Sequence, residues 1–321
     1  MVKVGIIGGA GYTAGELLRI LIWHPKVNIA FVQSASHDGY PITDVHKDLL
    51  GDTDLKFGKA DYSKVDVIFI CSGHGKTKLF LDQNNLPNGL KIVDLSTDYR
   101  PKNNGNGFVY GLPELNKESI ETANRIANPG CFATCIELGL LPLAAEKQLS
   151  EEIHVNAITG STGAGQNPMV TSHFSWKNNN VAVYKAFTHQ HLSEINESVL
   201  QLQPDYSKEI NFIPVRGNFS RGIMATIYTD CKWSLEEAKE KYDLYYSEHP
   251  FVSISNTIPD VKQVVNTNKC VLYFEKHGSK LMIISVIDNL LKGASGQAVQ
   301  NMNLMLGLNE KEGLGLKPIG F

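Results

Sequence analysis

Residues Val2 to Ile7 form a short apolar run rich in β-branched side chains, broken at once by Gly8-Gly9-Ala10-Gly11-Tyr12-Thr13-Ala14-Gly15. A helical stretch follows through Glu16, Leu17, Leu18, Ile20, Leu21 and Trp23, and then a second apolar run from Asn28 to Val32. Strand, glycine turn, helix and strand together make a βαβ unit, which commits this part of the chain to a parallel sheet covered by helices. The spacing Gly8-x-x-Gly11-x-x-Ala14 is a variant of the dinucleotide fingerprint. Glycines there let the backbone turn tightly and approach a pyrophosphate, which rests on the helix N-terminus. A plain tight turn would use the same glycines, but the setting between strand and helix favours the nucleotide reading.

The end of the second strand discriminates between dinucleotides. A site for NAD usually carries Asp or Glu there, for the ribose hydroxyls. This chain has Gln33-Ser34-Ala35-Ser36-His37, with no carboxylate until Asp38, so Ser34 and Ser36 suit a 2′-phosphate and the expected cofactor is NADP(H). Two further strands are expected, Val65 to Ile70 and Lys91 to Asp94, each ending in a polar loop. The first loop offers Ser72; the second, Ser96-Thr97-Asp98-Tyr99-Arg100, delivers a hydroxyl, a carboxylate and a guanidinium to the sheet edge where ligands bind. Arg100 could clamp an anion, or simply pair with Asp98 at the surface.

Asn128-Pro129-Gly130-Cys131 then reads as a Pro-Gly turn placing Cys131 at the start of a helix that runs through Ile136, Leu138, Leu140, Leu141 and Leu143. Unpaired N–H groups and the helix dipole favour a thiolate at that point, and the thiolate is the reactive form. A small buried hydrophobe is the alternative for any free cysteine. A nucleophile also needs a base. His189 and His191 fall at or just before the N-terminus of an amphipathic helix marked by Leu192, Ile195, Val199 and Leu200, with Glu194 close enough in sequence to orient an imidazole. A metal held by His189, His191 and Glu194 is disfavoured, because the N-terminal half already implies an organic cofactor.

Between these motifs lies a strand, Ile153 to Ile158, which ends in the hydroxyl- and glycine-rich loop Thr159-Gly160-Ser161-Thr162-Gly163-Ala164-Gly165. Its backbone could pass close to a ligand. Arg216 and Arg221 flank strands and could recognise acidic groups, bridge subunits or sit in solvent. A strand from Leu281 to Val286 leads into Asp288-Asn289-Leu290-Leu291-Lys292-Gly293-Ala294 and a closing helix.

With 321 residues, the chain is long for one core and natural for two domains. A net charge of −3 argues against a nucleic-acid or membrane partner held by bulk electrostatics. The five scattered cysteines lack paired metal spacing or a disulfide pattern, and the amino terminus runs straight into a strand. A cytoplasmic protein is expected.

Together these segments resemble the N-acetyl-γ-glutamyl-phosphate reductase family, NADP-dependent enzymes of arginine biosynthesis, over essentially the whole chain. The resemblance rests on Gly8 to Thr13, Asp94 to Arg100, Tyr110-Gly111-Leu112-Pro113-Glu114, Asn128 to Cys131, His189 to Glu194, and Asp288 to Ala294 with Gln297 to Asn301. It implies an α/β fold: a Rossmann domain (1–130 and 289–321) and an inserted α+β catalytic and dimerisation domain with a mixed sheet (131–288). It implies Cys131 as nucleophile and the pair His189 and His191 as acid/base; within the pair, the proton transfer is assigned to His191, with His189 as substrate-binding partner. The cofactor set becomes Gly8, Gly11, Tyr12, Thr13, Ala14, Ser34, Ser36, Ser72, Gly163 and Asn289. The substrate set becomes Ser96, Arg100, Tyr184, Glu194, Arg216 and Arg221. The implied substrates are an acyl phosphate or semialdehyde with phosphate, and the implied assembly is a homodimer or homotetramer. Two departures stand out: Ala14-Gly15 inverts the family's Gly-Ala order, and Gln190 replaces a frequent Arg between the histidines. Aspartate-semialdehyde dehydrogenase, a related acyl-phosphate reductase (including one using an N-succinyl substrate), a cysteine hydrolase and a catalytically silent NADP sensor are the rival readings.

Overall fold

The N-terminal run is strand β1 (Val2–Ile7), with Val4 to Ile7 buried on both faces as a central parallel strand requires. In the computed structural model, which describes residues 1–101 and 107–320, it continues through α1 (Tyr12–Leu21), β2 (Val27–Gln33), β3 (Val67–Ile70), α2 (Thr77–Gln83), β4 (Lys91–Asp94), β5 (Val109–Tyr110), α3 (Pro113–Thr122) and β6 (Arg125–Ala127). These strands form an all-parallel sheet in the order β2-β1-β3-β4-β6-β5. The α1 helix stops short of Trp23, which is exposed, while Leu17, Leu18 and Leu21 bury the apolar stripe.

The glycines of the first turn answer to separate constraints. Gly8 has φ +76°, and a Cβ there would stand 2.8 Å from the backbone of Cys71 and Ser72. Gly15 makes room for a side chain instead: a Cβ would meet His46 Nδ1 at 2.7 Å. Buried His46 turns its other nitrogen, Nε2, to the carbonyl of Gly9 at 2.7 Å. The inverted Ala14-Gly15 order thus has a local cause, since the small residue stands where an imidazole supports the loop. Asp98 is likewise structural rather than an Arg100 partner by design. Its carboxylate accepts from the N–H groups of Gly75, Thr77 and Lys78 (2.6, 2.9 and 3.1 Å), capping α2.

The second unit opens with α4 (Cys131–Ala145) and β7 (Ile153–Thr159), followed by α5 (Phe174–Lys177), β8 (Ala182–Val183), α6 (His191–Leu202), β9 (Ile210–Arg216), β10 (Ile223–Asp230), α7 (Leu235–Tyr246), β11 (Val252–Ile254), β12 (Cys270–His277) and β13 (Lys280–Ile287). Its sheet is mixed, ordered β11-β12-β13-β10-β7-β9-β8. The α4 helix is buried from Phe132 to Ala144 despite Pro142, which lacks the N–H that would bond Leu138. The Tyr246 hydroxyl supplies the missing donor to Leu138 O at 2.5 Å, and the Tyr242 hydroxyl also donates to α4, at Gly139 O (2.5 Å). On α6 the buried face comprises His191, Glu194, Ile195, Ser198 and Val199, whereas Leu200 is exposed. The expected apolar stripe is therefore partly polar, because Ser198 Oγ must donate to the buried Glu137 carboxylate of α4 (2.7 Å).

After Gly293 the chain rejoins the first unit as α8 (Gly296–Met305), every residue of which is buried. The units divide as Met1–Pro129 with Ala294–Gly315, and Gly130–Gly293 with the segment that starts at Leu316. Compared with the expected boundaries, residues 289–293 and the tail lie with the second unit. Asn266 Nδ2 holds that tail through the Lys317 carbonyl at 2.9 Å.

Replacing Gly15 by Ala should displace His46 and release the Gly9 carbonyl. A loss of about 1–3 kcal/mol in the stability of the first unit is expected from one orphaned buried group, together with weaker NADPH binding. Denaturant unfolding and NADPH fluorescence titration check it; an unchanged variant would remove the His46 argument.

Candidate active site

Gly130 precedes the nucleophile candidate with φ −72° and ψ 150°, an extended conformation open to any residue. The Pro-Gly pair is therefore not a turn, and the glycine is needed for contact instead. A Cβ at Gly130 would stand 2.4 Å from His191 Nε2, so the imidazole lies directly against the backbone. The Gly130 N–H donates to Glu194 Oε2 at 2.8 Å, and the other oxygen of that carboxylate lies 3.9 Å from His191 Nε2. His191 and Glu194 are i and i+3 on α6, 5% and 6% exposed, so one helical turn brings both to the start of α4. Cys131 is the first residue of α4 and only half-buried, as a reacting group must be. Gly293 packs against it, since a Cβ there would come within 2.7 Å of Cys131 Cβ.

His189 stands beside this cluster in an aromatic enclosure. Its ring centroid lies 4.6 Å from His191, 5.4 Å from Phe132, 5.5 Å from Phe212 and 5.8 Å from Tyr184. The His191 N–H donates to His189 Nδ1 at 3.2 Å, which places the neutral ring's remaining proton on Nε2. Burial, aided by the nearby Lys185 charge, pushes His189 down to about 4. At neutral pH it is an uncharged hydrogen-bond donor. Burial pushes the Tyr184 phenol up to about 12, with the charge of Cys131 adding to it and Arg216 opposing. Arg216 lies 4.6 Å from the Tyr184 ring centroid, in cation–π contact.

Other expected contacts turn out to be internal supports. Arg221 pairs with Asp288 through Nε and Nη2 at 3.1 and 3.0 Å. Asn289, expected at a cofactor, spends its amide on the Gly222 N–H (2.7 Å) and Thr162 Oγ1 (3.0 Å), with Gly163 alongside. In the first unit Ser96 is buried, donates to Asp94 (2.7 Å) and accepts from the Asp98 N–H, so its hydroxyl braces the end of β4. Arg100, also buried, donates to the main-chain carbonyls of Asn128 (2.9 Å) and Leu95 (3.2 Å). It thereby fixes the strand end that leads to Pro129, a role that the expected anion clamp does not describe.

The dinucleotide end of the first unit fits a phosphate-bearing cofactor. Gly11 caps α1 without a side chain, the first turn holds no acidic residue, and a Cβ at Gly11 would meet nothing closer than Gly8 O at 4.0 Å. Tyr12 and Thr13 present that turn outward, while Ala14 is buried under it. At the end of β2, Ser34 and Ser36 both lie within hydrogen-bond reach of His37 Nδ1 (3.3 and 2.8 Å). Ser72, half-buried, follows the Cys71 backbone against which Gly8 packs. His46 and Gly293 carried no local signal beyond, for Gly293, a glycine in a helical setting; their importance is tertiary.

The depressed His189 has a measurable consequence. Well above pH 6.5 the ring is neutral whether the chain is folded or not. As pH falls toward 4 the unfolded chain takes up the proton first, so the folded state loses stability across that window, on the order of 3 kcal/mol. Urea unfolding of the second unit from pH 7 to 4 should show this slope, and it should flatten in His189→Gln.

The family comparisons agree with this geometry. A model described as "Semialdehyde dehydrogenase, NAD binding domain" matches residues 3–123, and one described as "Semialdehyde dehydrogenase, dimerisation domain" matches 131–289. Proteins named N-acetyl-gamma-glutamyl-phosphate reductase from Parabacteroides distasonis and Azobacteroides pseudotrichonymphae are 59% and 61% identical, each aligned over 100% of both chains. The fold is also that of aspartate semialdehyde dehydrogenase II from Vibrio cholerae, complexed with ASA (TM-score 0.75, 17% identity, 96% of this chain and 98% of that one). The Candida albicans aspartate semialdehyde dehydrogenase with NADP is comparable (TM-score 0.74, 14% identity, 96% and 99%). A glycine-turn dinucleotide unit joined to a cysteine–histidine unit, matched at full length by such relatives, belongs to the N-acetyl-γ-glutamyl-phosphate reductase family of semialdehyde dehydrogenases.

Proposed function

We propose that this chain reduces N-acetyl-γ-glutamyl phosphate with NADPH to N-acetylglutamate 5-semialdehyde and phosphate, a step of arginine biosynthesis, with Cys131 as the covalent nucleophile. The observation that carries the assignment of roles is the cluster of Cys131, His191 and Glu194 around the N-cap Gly130. The Cys131 sulfur attacks the acyl carbon, the bond to phosphate breaks, and a thioester remains on the enzyme. At the N-terminus of α4 the helix dipole favours the negative sulfur, and the N–H groups of the first turn are donors for the oxyanion. Bound NADPH supplies the hydride that the reduction requires.

His191 holds or releases the proton of the oxygen that becomes the aldehyde, and Glu194 orients its ring from 3.9 Å. His189, neutral and carrying its proton on Nε2, donates a hydrogen bond to the substrate without adding charge. Tyr184 and Arg216 contact the substrate beside it. The glycine turn with Tyr12, Thr13, Ser34, Ser36 and Ser72 holds the dinucleotide. The active assembly is a homodimer or homotetramer in the cytoplasm; support for association is the dimerisation-domain match over 131–289.

The test is phosphate-dependent reduction of NADP by N-acetylglutamate semialdehyde, run beside aspartate semialdehyde. Wild-type enzyme should prefer the former. Cys131→Ser should lose turnover by roughly three orders of magnitude or more while still binding NADPH. Comparable turnover in that variant, or preference for aspartate semialdehyde, would defeat the reading.

A further inference from the structure

A cavity of about 180 Å³ opens in the second unit, lined in part by Tyr184, whose ring centroid lies 5.8 Å from that of His189. Trp176, Ala182 and Val183 form apolar walls, and Lys177 and Arg216 bring two cations to it. None of its described lining residues is acidic. Among the described residues neither Lys177 nor Arg216 takes part in an ion pair, and the buried Nε of Arg216 has no hydrogen-bond partner. Burial holds the Lys177 ammonium below the ordinary lysine range, and the nearby Arg216 charge lowers it further. Two like charges turned into one partly apolar cavity, without a carboxylate from the protein, are an arrangement that an anionic ligand completes.

The cavity's other boundary identifies the ligand. Its lining residue Tyr184 is in ring contact with His189, whose ring is 4.6 Å from that of His191, so the cavity lies near the reacting cluster while Cys131 is not among its lining residues. A substrate whose acyl carbon is at Cys131 carries its amino-acid end two methylenes away, where an α-carboxylate and an N-acyl group branch. We infer that this cavity, through Lys177 with Arg216, binds a carboxylate at the amino-acid end of the substrate. The carboxylate is either the α-carboxylate itself or one at the end of a longer N-acyl chain lying on Trp176, Ala182 and Val183. This inference rests on the function proposed above and adds Lys177 as a specificity-determining residue.

Calorimetry with N-acetylglutamate and N-succinylglutamate, which lack a reacting carbonyl, tests the cavity without turnover. Lys177→Met should weaken at least one of them about tenfold, the cost of one charge-assisted hydrogen bond, and Lys177→Arg should restore most of the loss. Loss with both ligands assigns the cavity to the α-carboxylate; loss confined to N-succinylglutamate assigns it to a terminal acyl carboxylate. The semialdehyde matching the affected ligand should show a raised KM at nearly constant kcat. Unchanged binding of both ligands in Lys177→Met, with NADPH binding intact, would overturn the inference. Wild-type turnover of neither semialdehyde would instead count against the proposed function, so the two failures are separable.

Discussion

The carboxylate of Glu194, buried and bonded to the main-chain N–H of Gly130, is the contact on which the rest of the site depends. It joins the start of α6 to the start of α4 and sets His191 against a residue that must lack a side chain. The nucleophile candidate follows one residue later. A buried carboxylate is costly unless its oxygens are used, and here one faces the N–H and the other the imidazole. The geometry of three groups is thus linked through one side chain. Arg100 and Asn128 do comparable work on the preceding strand end, where a guanidinium holds the carbonyl of Asn128.

Much of this was legible in the residues themselves. The βαβ start, the placement of Cys131 at a helix N-terminus and the histidine pair at the next one follow from periodicity and from glycine and proline positions. Roles that depend on distant partners were not legible. Gly130 looks like half of a turn until His191 is seen to occupy the space of its missing Cβ. Arg100, Ser96, Asn289 and Arg221 have the chemistry of ligand-binding groups, yet each is engaged by carbonyls, carboxylates or N–H groups of its own unit. A motif shows which side chains are present. It does not show which are already used by the fold.

The same limit explains the departures from the family pattern. Gly15 in place of the more usual Ala is set by His46, more than thirty residues further along the chain. Leu200 points to solvent because the α6 face must accommodate the polar pair of Ser198 and Glu137. In each case a local preference yields to a buried polar group that needs its partner.

The proline in the middle of α4 ties distant parts of the second unit into one folding transaction. The Leu138 carbonyl that it leaves without a helical donor, and the Gly139 carbonyl beside it, each accept from a tyrosine of α7, roughly a hundred residues later in the chain. Detaching α7 would leave the Leu138 carbonyl without a donor in an apolar interior. The helix bearing the nucleophile candidate and the distant helix that closes its backbone should therefore open together, which amide exchange along both would register as one event.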